Sequence, residues 1–378
     1  MKSIIFVYYL FNIIIFSTSF IFQKKYFKKS FYLNSNFNNL NTNLDKDYNL
    51  HWYTIGESKN FYDNNLYKIT VFDNDYLLWK YNSTFYAMDN YCSHRGASLA
   101  NGKLKDNNVI CPYHGYEFNN EGILCKIPGL NFTNNDCHNQ NTYNVVELNN
   151  LVYLNTISKK IYEPLHINIY QEPEANNNTF SQITLSVDFN SYGRIVTENS
   201  LDVMHIGFVH SFGNSENPSP ITEVPPHIIN DYPYHYKTIY SYHSGKDSMA
   251  KSLFLENELI IENEFILPHT TIARVKFGKY ISTVVTYTLP INTTSSKLFV
   301  KTYRNFWNSN DDTLLSMFIN NLGDTATKDL MYNTVMEDKK IIEEIKLKYS
   351  YGKFNMKYDK LQNLYRTLYR RLIHNITD

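Results

Sequence analysis

Residues 92–118 read CSHRGASLANGKLKDNNVICPYHGYEF, and this stretch contains two short groups of metal-binding side chains. The first group is Cys92 with His94, the second is Cys111 with His114, and sixteen residues separate them. Two thiolates and two imidazoles can bind two irons joined by sulfides, with the cysteines on one iron and the histidines on the other. Tetrahedral zinc accepts the same four side chains and is the alternative. Zinc fingers group their cysteines together and their histidines together, whereas here each group has one of each, which favours the iron–sulfur interpretation.

The residues around these four ligands resemble the Rieske domains of bacterial and plastid oxygenases. The resemblance runs from His51 to about Tyr153 and includes Ile-Pro-Gly at 127–129. Rieske proteins of cytochrome complexes have an additional cysteine in each loop and join the two by a disulfide. Ala97 and Tyr113 occupy those neighbourhoods here, so that disulfide cannot form. The resemblance therefore implies a cluster that donates electrons to chemistry rather than to a cytochrome.

Tyr116 stands where the same family usually has a serine after the glycine of the second loop. Hydroxyl groups that donate hydrogen bonds to the cluster sulfurs raise the reduction potential. We therefore expect a potential at the low end of the Rieske range.

A second group of candidate ligands lies at residues 198–210, which read ENSLDVMHIGFVH. Asn199, Asp202 and His205 are three residues apart, and on a helix this spacing places them on one face. The sequence therefore predicts a helical segment over about 194–208.

His210 follows five residues after His205, and we expect Gly207 between them to let the helix break or widen. Two histidines and one carboxylate can bind iron(II) and leave coordination positions open for dioxygen and substrate. Histidines at this spacing are also common at surfaces and in cores, but an iron–sulfur motif upstream favours iron. The pattern Asn-x-x-Asp-x-x-His-x₄-His resembles the catalytic signature of Rieske non-haem iron oxygenases.

The carboxylate ligand is expected on a C-terminal helix, where the candidates are Asp311, Asp312, Asp324, Asp329, Glu337 and Asp338. The Glu-Asp-Lys triplet at 337–339 resembles the family's iron-binding helix, which implies that Asp338 is the ligand, with Glu337 or Asp324 as alternatives. Asp338 could also be an exposed helical charge that pairs with lysines one turn away.

The resemblance also implies roles for two residues beside the iron. Asp202 is expected between the two metal centres, where it accepts hydrogen bonds from His114 and His205 and offers a path for the electron. In the family, the two centres that exchange electrons belong to neighbouring subunits of a trimer, so we expect a homotrimer. Asn199 is expected near the iron as a second catalytic residue, although helix capping or packing is an equal alternative.

Composition is compatible with an enzyme of two domains. The 378 residues include 36 Lys+Arg and 36 Asp+Glu, a formal net charge of +0, so nothing indicates a nucleic-acid partner. The four cysteines include two cluster ligands, which leaves no disulfide framework. We expect Cys125 and Cys137 to be free thiols.

The N-terminus resembles a targeting segment. Residues 1–19 are signal peptide-like, and residues 20–48 form a basic, transit-type leader with no acidic residue before Asp45. A bipartite leader of this kind predicts import into a plastid. The alternatives are a membrane anchor formed by residues 4–22 and a mitochondrial presequence.

Short runs of β-forming residues separated by Asn, Asp and Gly turns predict an all-β Rieske domain over 49–155. A polar connection follows at 156–180. Further strands, a long loop at 213–226 and a helical region over about 314–349 predict a catalytic domain at 181–378. The fold class is α+β, with an antiparallel sheet and a long helix of the helix-grip type.

The predicted function is that of a Rieske-type oxygenase with a [2Fe–2S] cluster and a mononuclear Fe(II). It uses O₂ and two externally supplied electrons to hydroxylate or otherwise oxidise an aromatic or tetrapyrrole-like organic substrate. The sequence has no dinucleotide-binding glycine motif, so the electrons are expected from a separate ferredoxin or reductase. The alternatives are an electron-transfer or redox-sensing protein of an organelle without oxygenase activity, and a structural component of an import machine. The C-terminus (348–378) has no cysteine, unlike the pheophorbide oxygenase and plastid translocon members of the family, which carry a C-terminal Cys-x-x-Cys and membrane helices.

Overall fold

The computed structural model describes residues 50–131, 138–163, 167–229, 232, 234–309 and 313–374. The predicted leader segments 1–19 and 20–48, together with Cys137, Asp311 and Asp312, lie outside the described residues. No helix among the described residues combines the length and apolar character needed to cross a membrane. The domain limits given above stay predictions.

The N-terminal part consists of two antiparallel sheets. Their strands are β1 (Trp52–Glu57), β2 (Leu66–Val71), β3 (Asn74–Tyr81), β4 (Thr84–Asp89), β5 (Lys103–Lys105), β6 (Asn108–Ile110), β7 (Glu117–Phe118), β8 (Leu124–Lys126), β9 (Thr142–Leu148) and β10 (Leu151–Ser158). The larger sheet has the order β1-β10-β9-β4-β3-β2, and the smaller one has the order β5-β6-β7-β8. The cysteine–histidine groups lie in two loops of the smaller sheet, one before β5 and one between β6 and β7.

Asparagine and aspartate supply most of the turn residues of these hairpins, and Phe72 and Ser83 supply the others. The pairs 72–73, 82–83, 106–107 and 149–150 all have positive φ at both residues. Two such residues in succession form the type I′ turn, whose twist matches that of paired strands and which favours Asn and Asp. The asparagine-rich composition is thus compatible with short, tightly connected strands.

The C-terminal part has one seven-stranded antiparallel sheet of order β11-β17-β16-β15-β14-β13-β12. Its strands are β11 (Ser181–Phe189), β12 (Thr222–Ile229), β13 (His235–His243), β14 (Glu258–Ile266), β15 (Thr270–Phe277), β16 (Tyr280–Pro290) and β17 (Ser296–Arg304). The helices are α1 (Gly193–Asn199), α2 (Ile206–Val209), α3 (Met249–Ser252), α4 (Leu314–Ile342) and α5 (Lys360–Tyr369), which continues as a π-helical turn (Arg370–His374). Shorter 3₁₀ turns are Ser58–Asn60, Leu99–Asn101, Pro173–Asn176 and Leu347–Tyr349.

The long helix α4 packs against β11 and α1 and is tied to the sheet by an arginine. Arg304 on β17 is 1% exposed and donates to the Asp324 carboxylate on α4 at 2.6 Å. Gly323 allows this approach, because a Cβ there would lie 2.6 Å from the Arg304 guanidinium. The antiparallel sheet with a long helix confirms the predicted α+β class.

A buried ion pair links the connecting segment to the seven-stranded sheet. Lys301 on β17 and Glu172 are both 0% exposed and lie 2.8 Å apart. Lys301 also donates to the carbonyl of Asn149 in the β9–β10 turn at 3.0 Å, and the Tyr287 hydroxyl donates to Glu172. Removing one partner of a buried pair leaves an uncompensated charge, so a single substitution of Lys301 or Glu172 should be strongly destabilising.

Several predicted elements are wrong in their limits. The helix predicted over 194–208 ends at Asn199, and only the short α2 follows after a turn. The proline-containing loop predicted over 213–226 ends earlier, because β12 begins at Thr222 as an edge strand, where proline is tolerated. The helix predicted to Tyr349 ends at Ile342, and α5 was not predicted at all.

Candidate metal centres

The two cysteine–histidine loops share one backbone geometry. In each loop the cysteine N–H donates to the carbonyl five residues later, and the glycine four residues after the cysteine donates back to the cysteine carbonyl. The two distances are 2.9 and 2.8 Å in the loop Cys92–Ala97, and 2.8 and 3.1 Å in the loop Cys111–Tyr116. Gly96 and Gly115 have φ of +68° and +71°, the left-handed region that glycine adopts without steric cost.

These loops hold the thiols inside and the imidazoles at the surface. Cys92 and Cys111 are 4% and 3% exposed, whereas His94 and His114 are exposed, with ring centroids 4.7 Å apart. Burial raises the pKa of the Cys92 thiol, so a bound cation is needed to favour the thiolate in this pocket. An arrangement of two buried thiols and two exposed imidazoles fits a cluster with its cysteine-bound iron inside and its histidine-bound iron at the surface.

Tyr116 contributes its ring rather than a hydroxyl at this site. The ring stacks on the His94 imidazole with centroids 4.7 Å apart and an angle of 7° between the planes. The low potential expected from the missing serine stays a prediction. Cys125 on β8 is an exposed free thiol, as expected.

The second group of ligands is built on a broken helix. After α1 ends at Asn199, the chain turns, and His205 and His210 lie on either side of the single-turn α2. Asn199, Asp202 and His205 therefore do not share one helix face, and that prediction is wrong. Gly207 serves close packing instead, because a Cβ there would lie 2.8 Å from Cβ of Pro218.

His205, His210 and Asp338 converge, with ligand atoms all within 4.8 Å of one another. The Nε2 atoms of the two histidines are 3.2 Å apart, and Oδ1 of Asp338 on α4 lies 3.4 Å from the first and 3.5 Å from the second. This oxygen is buried and has no hydrogen-bond partner among the residues that the structure describes. Buried polar atoms are rarely left without partners, so two facing ring nitrogens and one carboxylate oxygen fit a bound cation.

A carboxylate also lies behind each of the two histidines. Nδ1 of His210 is 3.0 Å from Oε2 of Glu337, and Nδ1 of His205 is 3.9 Å from Oδ1 of Asp202. Asp202 accepts further hydrogen bonds from the backbone N–H groups of Met204 at 2.8 Å and His205 at 3.3 Å. Within the described part of one chain, Asp202 has no hydrogen bond to His114, so the expected contact between the two centres stays a prediction.

The charges around His205 favour a cation at this position. Burial opposes a charge on this imidazole, but the nearby carboxylates of Asp202 and Asp338 outweigh it and raise the pKa of His205 to about 9. Burial likewise opposes the negative charge of Asp202, yet the nearby His205 imidazole and the backbone N–H groups of Met204 and His205 outweigh it and lower the pKa of this carboxyl.

The alternative candidates lie elsewhere or in a different role. Asp324 pairs with Arg304, and Glu337 faces the Nδ1 side of His210, away from the three converging atoms. Asn199 is half-buried, and its backbone carbonyl accepts from the Asp202 N–H at 3.1 Å, so its catalytic role stays a prediction.

Sequence reasoning missed Phe212, whose ring stacks on His210 with centroids 5.1 Å apart. It also missed Glu337 as the partner of His210 Nδ1. In the sequence, only the position of Glu337 next to Asp338 indicated that it lies near the site. Which nitrogen of His210 Glu337 faces depends on the tertiary structure.

Comparison with known proteins identifies a family model and relatives that each match part of the chain. A model of the Rieske [2Fe-2S] domain matches residues 51–138. The oxygenase component of 3-ketosteroid-9-alpha-monooxygenase from Rhodococcus rhodochrous is 23% identical over 166 residues, which are 42% of this chain and 43% of that protein. The chloroplastic protein TIC 55 from Arabidopsis thaliana is 36% identical over 87 residues, which are 23% of this chain and 16% of that protein. Each of these matches spans less than half of the relative's length.

A solved structure extends the similarity to most of the chain. NdmA from Pseudomonas putida CBB5, in complex with caffeine, aligns with a TM-score of 0.67 and 19% sequence identity. The alignment covers 87% of this chain and 92% of that chain, and at this identity it shows a shared fold.

Proposed function

Because the chain carries a Rieske [2Fe–2S] domain and has the fold of its structural neighbours, the Rieske oxygenases, we propose that it is a Rieske non-haem iron oxygenase. It uses O₂ and externally supplied electrons to hydroxylate or otherwise oxidise an organic substrate. The observation that carries the proposal is the convergence of His205, His210 and Asp338. A protein that only stores or passes electrons has no use for this second group, which supports the oxygenase over the electron carrier.

Four side chains would hold the cluster and three would hold the iron. Cys92, Cys111, His94 and His114 would bind the [2Fe–2S] cluster that the Rieske domain implies. When bound, the cluster supplies single electrons, and iron(II) held by the three converging side chains supplies dioxygen activation.

The protein residues around these groups orient the ligands. The two imidazoles turn their Nε2 atoms toward Asp338, while Asp202 and Glu337 lie behind their Nδ1 atoms. Asp202 is the candidate link to the cluster, because its side chain is 32% exposed and can accept a further hydrogen bond. His114 is exposed as well, which is compatible with a contact between neighbouring subunits of a homotrimer.

The proposed partners are a ferredoxin or reductase as electron donor, O₂, and an aromatic or tetrapyrrole-like substrate. Relatives are named for a ketosteroid and for chlorophyllide a, and a solved structure with the same fold holds caffeine. These names support a flat, largely apolar organic molecule as the substrate class.

A plastid is the proposed location, through residues 1–19 and 20–48. Two relatives are chloroplastic proteins, TIC 55 from Arabidopsis thaliana and chlorophyllide a oxygenase from Chlamydomonas reinhardtii, which supports the proposal. A fusion of residues 1–48 to a fluorescent protein tests it, since accumulation at another membrane or in mitochondria would contradict a plastid leader.

The experiment that tests the oxygenase is a single turnover of the chemically reduced chain, with no ferredoxin or reductase present. The full chain is reduced chemically and then mixed with O₂ and a panel of steroids, tetrapyrroles and small aromatics. We expect product from at least one class, with no product from Asp338→Ala, whose cluster stays intact. If no member of the panel accelerates reoxidation of the cluster and no product forms, the result would favour the electron carrier.

A further inference from the structure

The Glu337 side chain lies beside the proposed iron site without belonging to its converging atoms. We propose that Glu337 is a positioning residue that fixes the ring orientation and the proton position of His210, and that it is not an iron ligand. This inference rests on the proposed function, since it concerns the iron site of the oxygenase. It also removes Glu337 as an alternative to Asp338.

The first argument is the distance between the two side chains. Oε2 of Glu337 lies 3.0 Å from Nδ1 of His210, within hydrogen-bond range. The side chain of His210 is 4% exposed, so water has little access to compete for this nitrogen. A neutral imidazole carries one N–H. If that N–H is at Nδ1 and donates to Glu337, the lone pair of Nε2 is free to bind a cation.

The second argument is the position of both carboxylates on one helix. Glu337 and Asp338 are consecutive residues of α4, yet they face opposite nitrogens of the same imidazole. Asp338 lies 3.5 Å from Nε2, and Glu337 lies 3.0 Å from Nδ1. The ring is thus held between two neighbouring side chains of a 29-residue helix, so the position of α4 sets both the ligand and the histidine.

The third argument is the contrast with the other histidine. The distance from His205 Nδ1 to Asp202 is 3.9 Å, too long for a hydrogen bond, and Asp202 already accepts two backbone N–H groups. His210 has the shorter carboxylate contact and also the stacked ring of Phe212. His210 is therefore the more closely held histidine of the pair.

The test measures iron(II) affinity rather than turnover. The full chain and the variants Glu337→Ala, Glu337→Gln and Asp338→Ala are titrated anaerobically with iron(II) against a chelator. We expect Glu337→Ala to weaken binding by about 10- to 100-fold, the usual effect of losing a carboxylate behind a ligating histidine. Glu337→Gln should retain an intermediate affinity, because its amide oxygen can still accept from Nδ1–H. Asp338→Ala should lose measurable binding.

Asp329→Asn is the matched control, because Asp329 is an exposed acidic residue of the same helix. It should bind iron(II) like the wild type, and the sulfide content of every variant should stay at the wild-type value. Wild-type affinity in Glu337→Ala would overturn the positioning role, and equal losses in Glu337→Ala, Glu337→Gln and Asp338→Ala would show a ligand instead. A wild-type chain that binds no iron(II) outside the cluster would overturn the proposed function itself, so the two failures are distinguishable.

Discussion

The two loops Cys92–Ala97 and Cys111–Tyr116 (the cluster loops) and the group His205, His210 and Asp338 (the three-ligand site) both bring proposed metal ligands together, but they do so in different ways. Each cluster loop is six residues long and is closed by its own backbone hydrogen bonds. The three-ligand site joins His205 and His210 to Asp338 on α4, far along the chain, whose Oδ1 lies 3.4 and 3.5 Å from their Nε2 atoms. Its ligands are placed by side-chain carboxylates and by the packing of α4 on the sheet.

This difference predicts different sensitivities. Backbone hydrogen bonds within a loop neither titrate nor depend on one side chain, so the cluster loops should tolerate changes outside their glycines and ligands. The three-ligand site depends on ionisable groups from separate elements, so single substitutions and pH should affect it first. Each substitution below tests one side of this comparison.

The largest expected effect is the loss of one metal without the other. Asp338→Ala removes the carboxylate oxygen that completes the three-ligand site, so its iron should be lost while cluster iron and sulfide remain. Metal and sulfide analysis of the purified variant measures this. Asp324→Asn is the contrasting variant: it breaks the pair with Arg304, so stability should fall while the iron stays. Iron lost from Asp324→Asn but retained in Asp338→Ala would reverse the assignment.

A smaller effect is expected when the proposed link between the centres is changed. Asp202→Asn keeps the size of the side chain but removes the charge that faces His205. Electron transfer from the reduced cluster should slow by about tenfold or more while both metals stay bound. Stopped-flow absorbance of the cluster after mixing with O₂ and substrate gives this rate. An unchanged rate would show that the electron takes another path.

The helix before the site is supported by a buried histidine that acid should disrupt. Burial lowers the pKa of His269 to about 3, and its Nδ1 lies 3.0 Å from the Thr197 hydroxyl on α1. The unfolded chain binds a proton near pH 6.5 and the folded chain does not, so stability is lost as pH falls below 6.5. From pH 7 to pH 5 this single group should lower the free energy of unfolding by about 2 kcal/mol.

Urea unfolding of the wild type and of His269→Gln at both pH values measures this contribution. The variant should lose about 2 kcal/mol less than the wild type on acidification, whatever its starting stability. The same pH dependence in both proteins would exclude His269 as the source.

The smallest effect is expected in the cluster loops. Gly115→Ala forces a side chain into a left-handed conformation, where its Cβ would also lie 3.1 Å from Pro128, and should cost about 1 kcal/mol. Gly96→Ala is the matched variant, since its φ is similar but no atom lies within 4 Å. Thermal unfolding should therefore show a larger loss for Gly115→Ala. Equal losses would assign the whole cost to the backbone, and no loss in either would contradict the role of these glycines.

The comparison also explains what could be predicted from the sequence. The proposed cluster ligands could be predicted from their spacing in the sequence. Each loop is short, and the backbone hydrogen bonds of its own cysteine and glycine close it. The strands and the long helix that the sequence predicts in the C-terminal part are present as the seven-stranded sheet and α4. The α+β class follows from that order of strands and helices.

The helix break before His205 could not be predicted. The three-residue spacing of Asn199, Asp202 and His205 is typical of a helix face, but the sequence alone does not show that the helix ends at Asn199. The partner of His210 Nδ1 was also beyond prediction, since it depends on how α4 packs on β11. The resemblance to the Rieske oxygenases predicted Asp338 as the carboxylate ligand. Its distance of 3.4 to 3.5 Å from the two histidines follows only from the tertiary structure.

The most direct test of the account is the ratio of iron to acid-labile sulfide in the full chain purified without oxygen. The account predicts about three irons and two sulfides per chain, from one [2Fe–2S] cluster and one separate iron. About two irons and two sulfides, with no further iron(II) bound on titration, would contradict it and leave a protein that only carries electrons.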